Sequence, residues 1–158
     1  MSNKVKIIEC PRDAMQGIKD FIPSQEKAQY IQSLLDVGFD TIDFGSFVSP
    51  RAIPQMADTA KVLSQLDLSN SSSKLLAIVA NVRGAQEASS HNQIDYLGYP
   101  FSISENFQMR NTHKTIAQSV LTLDEILNIA HKTNKQVVAY LSMGFGNPYG
   151  DPLSLIHI

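Results

Sequence analysis

The 158-residue sequence predicts an α/β fold, a partial (β/α)8 barrel holding about four and a half of the eight strand–helix units. Two observations carry this expectation. Short apolar runs alternate with helix-spaced segments from end to end, and strands that alternate with helices pair in parallel through right-handed crossovers. Polar and Gly/Pro-rich residues then cluster after one strand after another, at 11–16, 45–50, 102–111 and 144–151. An open doubly wound sheet concentrates its site at one topological switch point, whereas a barrel spreads it over the loops at the C-terminal ends of its strands. The barrel fits better.

Each element has its own signal. Val5 to Cys10 reads as a short buried strand. Ser24, after Pro23, offers an N-cap to a helix whose Ala28, Ile31, Leu34 and Leu35 recur at helical spacing before Gly38 closes it. Thr41 to Phe44 is the second strand. A second helix follows the Ser49-Pro50 loop, with Ile53, Met56, Ala57, Ala60 and Leu63 on one face. Ser69 to Ser73 is a polar loop, too short for a domain linker. Lys74 to Ala80 reads as strand, Arg83 to Ser89 as a weaker helix, and Gln93 to Leu97 as the fourth strand. A long helix then places Ile116, Val120, Leu123, Leu127 and Ala130 inward and ends on His131 and Lys132, cations that suit a helix C-terminus. Gln136 to Ser142 is the fifth strand. Residues 1–152 thus read as the N-terminal part of a barrel, and the uncapped run 153–158 as a non-native or truncated tail.

Composition narrows the class. Hydrophobic residues make up 43% and the net charge is −2, giving no electrostatic reason to expect nucleic acid or an anionic membrane. No apolar run approaches the ~20 residues needed to span a bilayer. Met1 to Lys6 carries neither a secretion signal nor an organellar one. Cys10, the single cysteine, excludes an internal disulfide and a Cys-rich zinc site, and reads as a buried structural thiol. The expected setting is reducing and cytoplasmic.

Two stretches can carry chemistry. Glu9-Cys10-Pro11-Arg12-Asp13-Ala14-Met15-Gln16 sets an acid beside a guanidinium at the end of strand one. At a barrel mouth that carboxylate can hold a hard cation such as Mg²⁺ or Mn²⁺, while Arg12 offers a rigid fork of donors to an oxyanion. Taken alone, an Arg-Asp pair reads more readily as a surface turn. The second stretch shifts the balance: Asp43 alternates with Ile42 and Phe44 and should point into the barrel, where a carboxylate is costly unless paired or metal-bound.

Arg12-Asp13-x-x-Gln16 resembles the strand-one motif of the metallolyase superfamily that contains hydroxymethylglutaryl-CoA lyase, isopropylmalate synthase and related aldolases. Ser46-Phe47-Val48-Ser49-Pro50, continued by Ile53-Pro54-Gln55-Met56-Ala57-Asp58, is similar to the hydroxymethylglutaryl-CoA lyase branch in particular. Ser104-Glu105-x-Phe107-x-x-x-Asn111 and Tyr140-Leu141-Ser142 with Pro148-Tyr149 extend the likeness, which spans about residues 4–152. The resemblance implies a TIM barrel and divalent-cation-dependent cleavage of an acyl-CoA, hydroxymethylglutaryl-CoA, to acetyl-CoA and acetoacetate. It implies that Asp13 binds the metal, that Arg12 stabilises the enolate of the departing acetyl-CoA, and that Asp43 shapes the site and its proton transfers. Gln16, Ser46, Glu105 and Asn111 are the implied substrate contacts. A homodimer is left open for the full-length parent.

Some positions depart from the family. Asp43 stands where Glu is usual, Ala14 replaces a common Gly, and one residue fewer separates Glu9 from Pro11. The family's other metal ligands are a His-x-His pair and an Asn from the second half of the barrel, and none of His91, His113, His131 and His157 forms such a pair. His113 is read as a solvated loop residue. A related Claisen condensing enzyme or aldolase is the alternative within enzymes, and a non-catalytic half-barrel binding acyl-CoA or a partner the alternative outside them.

Overall fold

A computed structural model describes residues 5–154 and shows a five-stranded, all-parallel sheet in sequential order β1-β2-β3-β4-β5. Five parallel strands with helices between them form a half-barrel, the fold the alternating pattern predicts. The strands are β1 (Ile8–Glu9), β2 (Thr41–Ser46), β3 (Lys74–Ile78), β4 (Tyr96–Ser102) and β5 (Gln136–Ser142). The helices are α1 (Pro11–Gln16), α2 (Ser24–Val37), α3 (Thr59–Leu63), α4 (Val82–Ser89), α5 (Glu105–Thr112) and α6 (Ile116–Lys132), with a 3₁₀ turn at Pro54–Met56. The tail residues 155–158 and residues 1–4 lie outside the described residues.

Side-chain alternation divides the sheet into two faces. Ile42, Phe44, Leu75, Ala77, Leu97 and Tyr99 join the core with Ile31 and Leu35 of α2 and Ile126 and Ala130 of α6. Asp43 takes the opposite parity on β2 and is wholly buried, as its alternation with Ile42 and Phe44 predicts. A Cβ on Gly98 would lie 2.6 Å from Ile78, 2.9 Å from Leu76 and 3.2 Å from the Tyr140 ring. Glycine there leaves the space into which Tyr140 packs.

Several boundaries differ from expectation for identifiable reasons. β1 pairs only through Ile8 and Glu9 and has one neighbour, so Val5 and Ile7 stay exposed and Cys10, expected buried, is exposed too. The residues after it form helix α1 rather than a loop. Pro23 is the N-cap of α2 and Ser24 its first residue, freeing the Ser24 hydroxyl to donate to Asp58 at 2.7 Å. Gly38 ends that helix at φ 81°, a left-handed conformation that glycine adopts without steric cost. The second predicted helix is split, and Ala57 and Ala60 face outward while Thr59 and Val62 are buried.

β4 begins three residues later than predicted and runs through Gly98 and Pro100. These look like strand breakers, yet Pro100 lies past the last β3–β4 pair, Ile78 with Gly98, where the strand has only β5 beside it. On α6, Ala130 is buried as expected, but Val120 and Leu127 point to solvent, and Ser119, Thr122 and Ile126 are buried instead. Polar residues go inward here because partners await them. Gln108 of α5 donates to Ser119 Oγ at 2.7 Å, and the Tyr99 hydroxyl donates to the Ser119 carbonyl at 3.3 Å.

Candidate active site

The site starts from a six-residue helix. Such a helix is too short to stand alone, so tertiary contacts must hold it. Pro11 occupies a first-turn position, where its missing N–H costs nothing, and Pro11 and Met15 are buried. Gln16 lies one helical turn beyond the adjacent Arg12 and Asp13, and the three bond to one another: Arg12 Nη1 donates to Asp13 Oδ1 and to Gln16 Oε1, both at 3.0 Å. Gln16 Nε2 donates to Asp13 Oδ1 at 2.8 Å.

The other edge of the Arg12 guanidinium meets Asp43. Nε donates to Oδ1 at 3.2 Å and Nη2 to Oδ2 at 2.6 Å, the two-pronged arrangement that a planar guanidinium gives a carboxylate. The Asp43 side chain is 0% exposed and that of Arg12 is 13% exposed. Burial pushes the Asp43 carboxyl upward, against the Arg12 hydrogen bonds and charge that favour ionisation. The Tyr140 hydroxyl reaches to 3.5 Å from Asp43 Oδ2, at the outer limit of a hydrogen bond. Burial and the Asp43 charge raise the Tyr140 phenol well above its ordinary value, so it stays protonated and available as a donor. Cys10, next to this cluster, is likewise raised by partial burial and Asp43, which keeps it a thiol rather than a nucleophilic thiolate.

A cleft of about 710 Å³ opens beside Arg12, Gln16 and Tyr140. Its opposite wall brings Arg110, Asn111 and Lys114, and no carboxylate appears among the described lining residues. Arg110 is held over the Tyr149 ring at 4.8 Å, and Lys114 donates to Thr122 Oγ1 at 2.6 Å. His113 also lines the cleft, exposed and in a left-handed conformation at φ 55°.

The residues singled out in the sequence therefore divide. Arg12, Asp13, Asp43 and Gln16 form one cluster, and Asn111 faces the same cleft. Ser46 is buried and lines a separate cavity of about 120 Å³ with Arg83 and Glu87; its N–H donates to Thr59 Oγ1 at 3.1 Å. The carboxylate of Glu105 accepts from Ile116 N at 3.1 and 3.3 Å, an acid capping the first turn of α6 rather than lining the cleft. The motifs contained Tyr140 without revealing its role, which depends on the room left by Gly98. Arg110, beside Asn111, and Lys114 gave only the weak signal of two cations in one loop.

Half of a (β/α)8 barrel, with an acid–guanidinium cluster formed between the end of β1 and the middle of β2, is the architecture these residues define. Over almost its whole length the chain is similar to hydroxymethylglutaryl-CoA lyases, which are carbon–carbon lyases. It is 33% identical over 155 residues to the mitochondrial lyase of Gallus gallus, covering 96% of this chain and 50% of the relative. The solved Bacillus subtilis HMG-CoA lyase superposes with a TM-score of 0.90 at 32% identity, over 98% of this chain and 51% of that one. The Acinetobacter baumannii HMG-CoA lyase, solved with coenzyme A and 3-methylmalate, gives 0.88 at 28% identity, over 96% and 49%. The chain spans about half the length of these proteins or less. No family model matches it. Named relatives include mitochondrial and cytoplasmic forms, and among the described residues no helix is long and apolar enough to cross a membrane.

Proposed function

We propose that this chain forms one half of the active site of a carbon–carbon lyase that cleaves hydroxymethylglutaryl-CoA to acetyl-CoA and acetoacetate. The observation that carries the reading is the Arg12–Asp43 fork, a buried carboxylate holding a guanidinium at the edge of a basic cleft. In the cleavage the tertiary hydroxyl loses its proton and becomes the ketone of acetoacetate. The electrons of the broken C–C bond pass to the acetyl-CoA enolate, which then takes up a proton. Negative charge thus appears on the thioester oxygen only as the bond breaks, and a pre-oriented Arg12 offsets it where it forms. Asp43 keeps that guanidinium from swinging, so little reorganisation accompanies the step. Arg110 and Lys114 give the cleft the charge that suits an anionic acyl-CoA.

Asp13 is the residue suited to a divalent cation such as Mg²⁺ or Mn²⁺. Its side chain is 66% exposed beside the fork, and a carboxylate oxygen is the donor such cations prefer. Among the described residues no group of three or more His, Cys, Asp or Glu side chains is placed to hold a metal, so Asp13 is one donor of a larger set. The remaining donors implied by the resemblance are a His-x-His pair and an Asn. Bound there, the cation would acidify the substrate hydroxyl and orient it. The lone cysteine supports a reducing, cytoplasmic setting.

The test is cleavage of hydroxymethylglutaryl-CoA by the protein carrying a complete barrel, with acetoacetate as the measured product. Arg12→Met should abolish turnover, with circular dichroism confirming that the variant, destabilised by the unpaired Asp43 carboxyl, is still folded under the assay conditions. Undiminished turnover in that variant would remove Arg12 from the reaction.

A further inference from the structure

The run Ile53 to Asp58 resembles the lyase branch, yet Gln55 and Asp58 do not line the cleft. Gln55 is 3% exposed and sits in the 3₁₀ turn at Pro54–Met56. Its side-chain amide spends its bonds on a single segment, the one that leaves α1. Oε1 accepts from Ile22 N at 2.9 Å, while Nε2 donates to Ile18 O at 3.0 Å and to Asp20 O at 2.9 Å. One amide thus closes residues 18–22 much as a neighbouring strand would, satisfying backbone groups that irregular chain otherwise leaves open.

A second set of contacts holds the far end of this segment. Lys27 of α2 is 2% exposed and donates to the Gln55 carbonyl and to Asp58 Oδ1, the latter at 2.6 Å. Its ammonium lies 4.2 Å from the centre of the Phe21 ring, and Ser24 Oγ donates to Asp58 Oδ2 at 2.7 Å. The buried charge is therefore paired and hydrogen-bonded, the condition under which burial is tolerated. Residues 17–23 are pinned between α2 and the 3₁₀ turn.

We propose that Gln55 is a positioning residue for the Arg12 cluster: by fixing residues 18–22 it fixes α1, and with it Arg12, Asp13 and Gln16. The inference takes the significance of that cluster from the proposed lyase reading, but its geometry stands without it. α1 is joined to β1 at one end through Cys10 and held at its middle by the Arg12–Asp43 fork and buried Met15, while the clamped segment fixes the chain that leaves its last turn.

Gln55→Met keeps the length of the side chain and removes all three bonds. Gln32→Met serves as the comparison, because Gln32 makes the same kind of clamp elsewhere, donating to Asp67 O and accepting from Asp67 N. Two readouts are measured on the full chain by mass spectrometry. They are amide exchange in residues 11–22 and the rate at which phenylglyoxal modifies Arg12, with Arg51, Arg83 and Arg110 as internal references.

In Gln55→Met both should rise about tenfold or more, the factor implied by losing more than one buried hydrogen bond, with the three reference arginines unchanged. Gln32→Met should leave both near wild type. Fast exchange at 18–22 with Arg12 still protected would overturn the proposal, since the segment would then move without the site. If Gln55→Met does not fold, the same readouts on wild type across sub-denaturing urea decide. A shared urea dependence of segment opening and Arg12 modification supports the coupling, and divergent dependences overturn it. Because neither readout is turnover, failure of the lyase reading would show in the cleavage assay alone.

Discussion

Arg12 and Asp43, thirty-one residues apart in sequence, meet through two hydrogen bonds that use both oxygens of a carboxylate with no solvent exposure. A guanidinium held this way keeps one edge for its partner and turns the other toward Asp13 and Gln16. Removing the carboxylate leaves a largely buried cation with only the exposed Asp13 carboxylate to pair with. Asp43→Ala should destabilise the fold by ~3 kcal/mol, the low end for breaking a buried pair, because Arg12 keeps some solvent contact. Urea unfolding measures this directly. A loss within error of zero would mean that the pair carries no structural weight.

Arg12→Lys keeps a positive charge but not the fork. If Arg12 acts on charge that develops during bond breaking, kcat should fall by roughly 10² to 10³ while KM changes little. The effect belongs in kcat because the lost interaction is made only in the transition state. Steady-state kinetics of the complete barrel separates the two, and a change in KM alone would move Arg12 to substrate binding.

Asp13→Asn should weaken Mn²⁺ affinity and lower turnover at a fixed metal concentration, with most of the lost rate recovered at higher Mn²⁺. The neutral amide keeps one oxygen donor but loses the charge that a hard cation prefers. Titration calorimetry with Mn²⁺ gives the affinity without reference to catalysis. Equal affinities in the two proteins would remove Asp13 from the coordination sphere.

Burial raises the Asp43 carboxyl, with the Arg12 fork opposing it, so folding favours the protonated form of this group. Its own contribution to stability is therefore full below its unfolded pKa and is lost as pH rises through the higher folded value. Turnover should run the other way, because only the ionised form holds Arg12 by charge. The acid limb of kcat/KM should thus fall at a higher pH than an ordinary carboxylate would give, and should disappear from the profile of Asp43→Asn.

Residues 1–158 by themselves should associate and show no lyase activity. β1 and β5 each have a single neighbour in the sheet. Exposed apolar side chains lie near both edges, Ile8 at 50% on one side and Leu141 at 56% with Leu121 at 65% on the other. Open edges beside apolar surface invite pairing between copies. Size-exclusion chromatography should show dimers or larger species, and an assay with added Mn²⁺ should detect no acetoacetate. A monomer with turnover would contradict both expectations.

The order of elements was legible in the sequence because it rests on local physics. Apolar spacing of three to four marked α2, Gly38 marked its end, and the run from Gln136 to Ser142 matched β5 to the residue. The inward direction of Asp43 followed from strand alternation alone. Composition and spacing do not encode which distant groups meet. That Asp43 pairs with Arg12, that Gly98 leaves room for Tyr140, and that Ser46 and Glu105 serve structural neighbours follow from how β1 to β5 curve together. The inward face of α6 was decided the same way: Val120 and Leu127 are more apolar than Ser119 and Thr122, but the latter find partners in Gln108, Lys114 and Tyr99. A buried polar group is stable where tertiary structure supplies its hydrogen bond, and one chain segment read alone does not contain that partner.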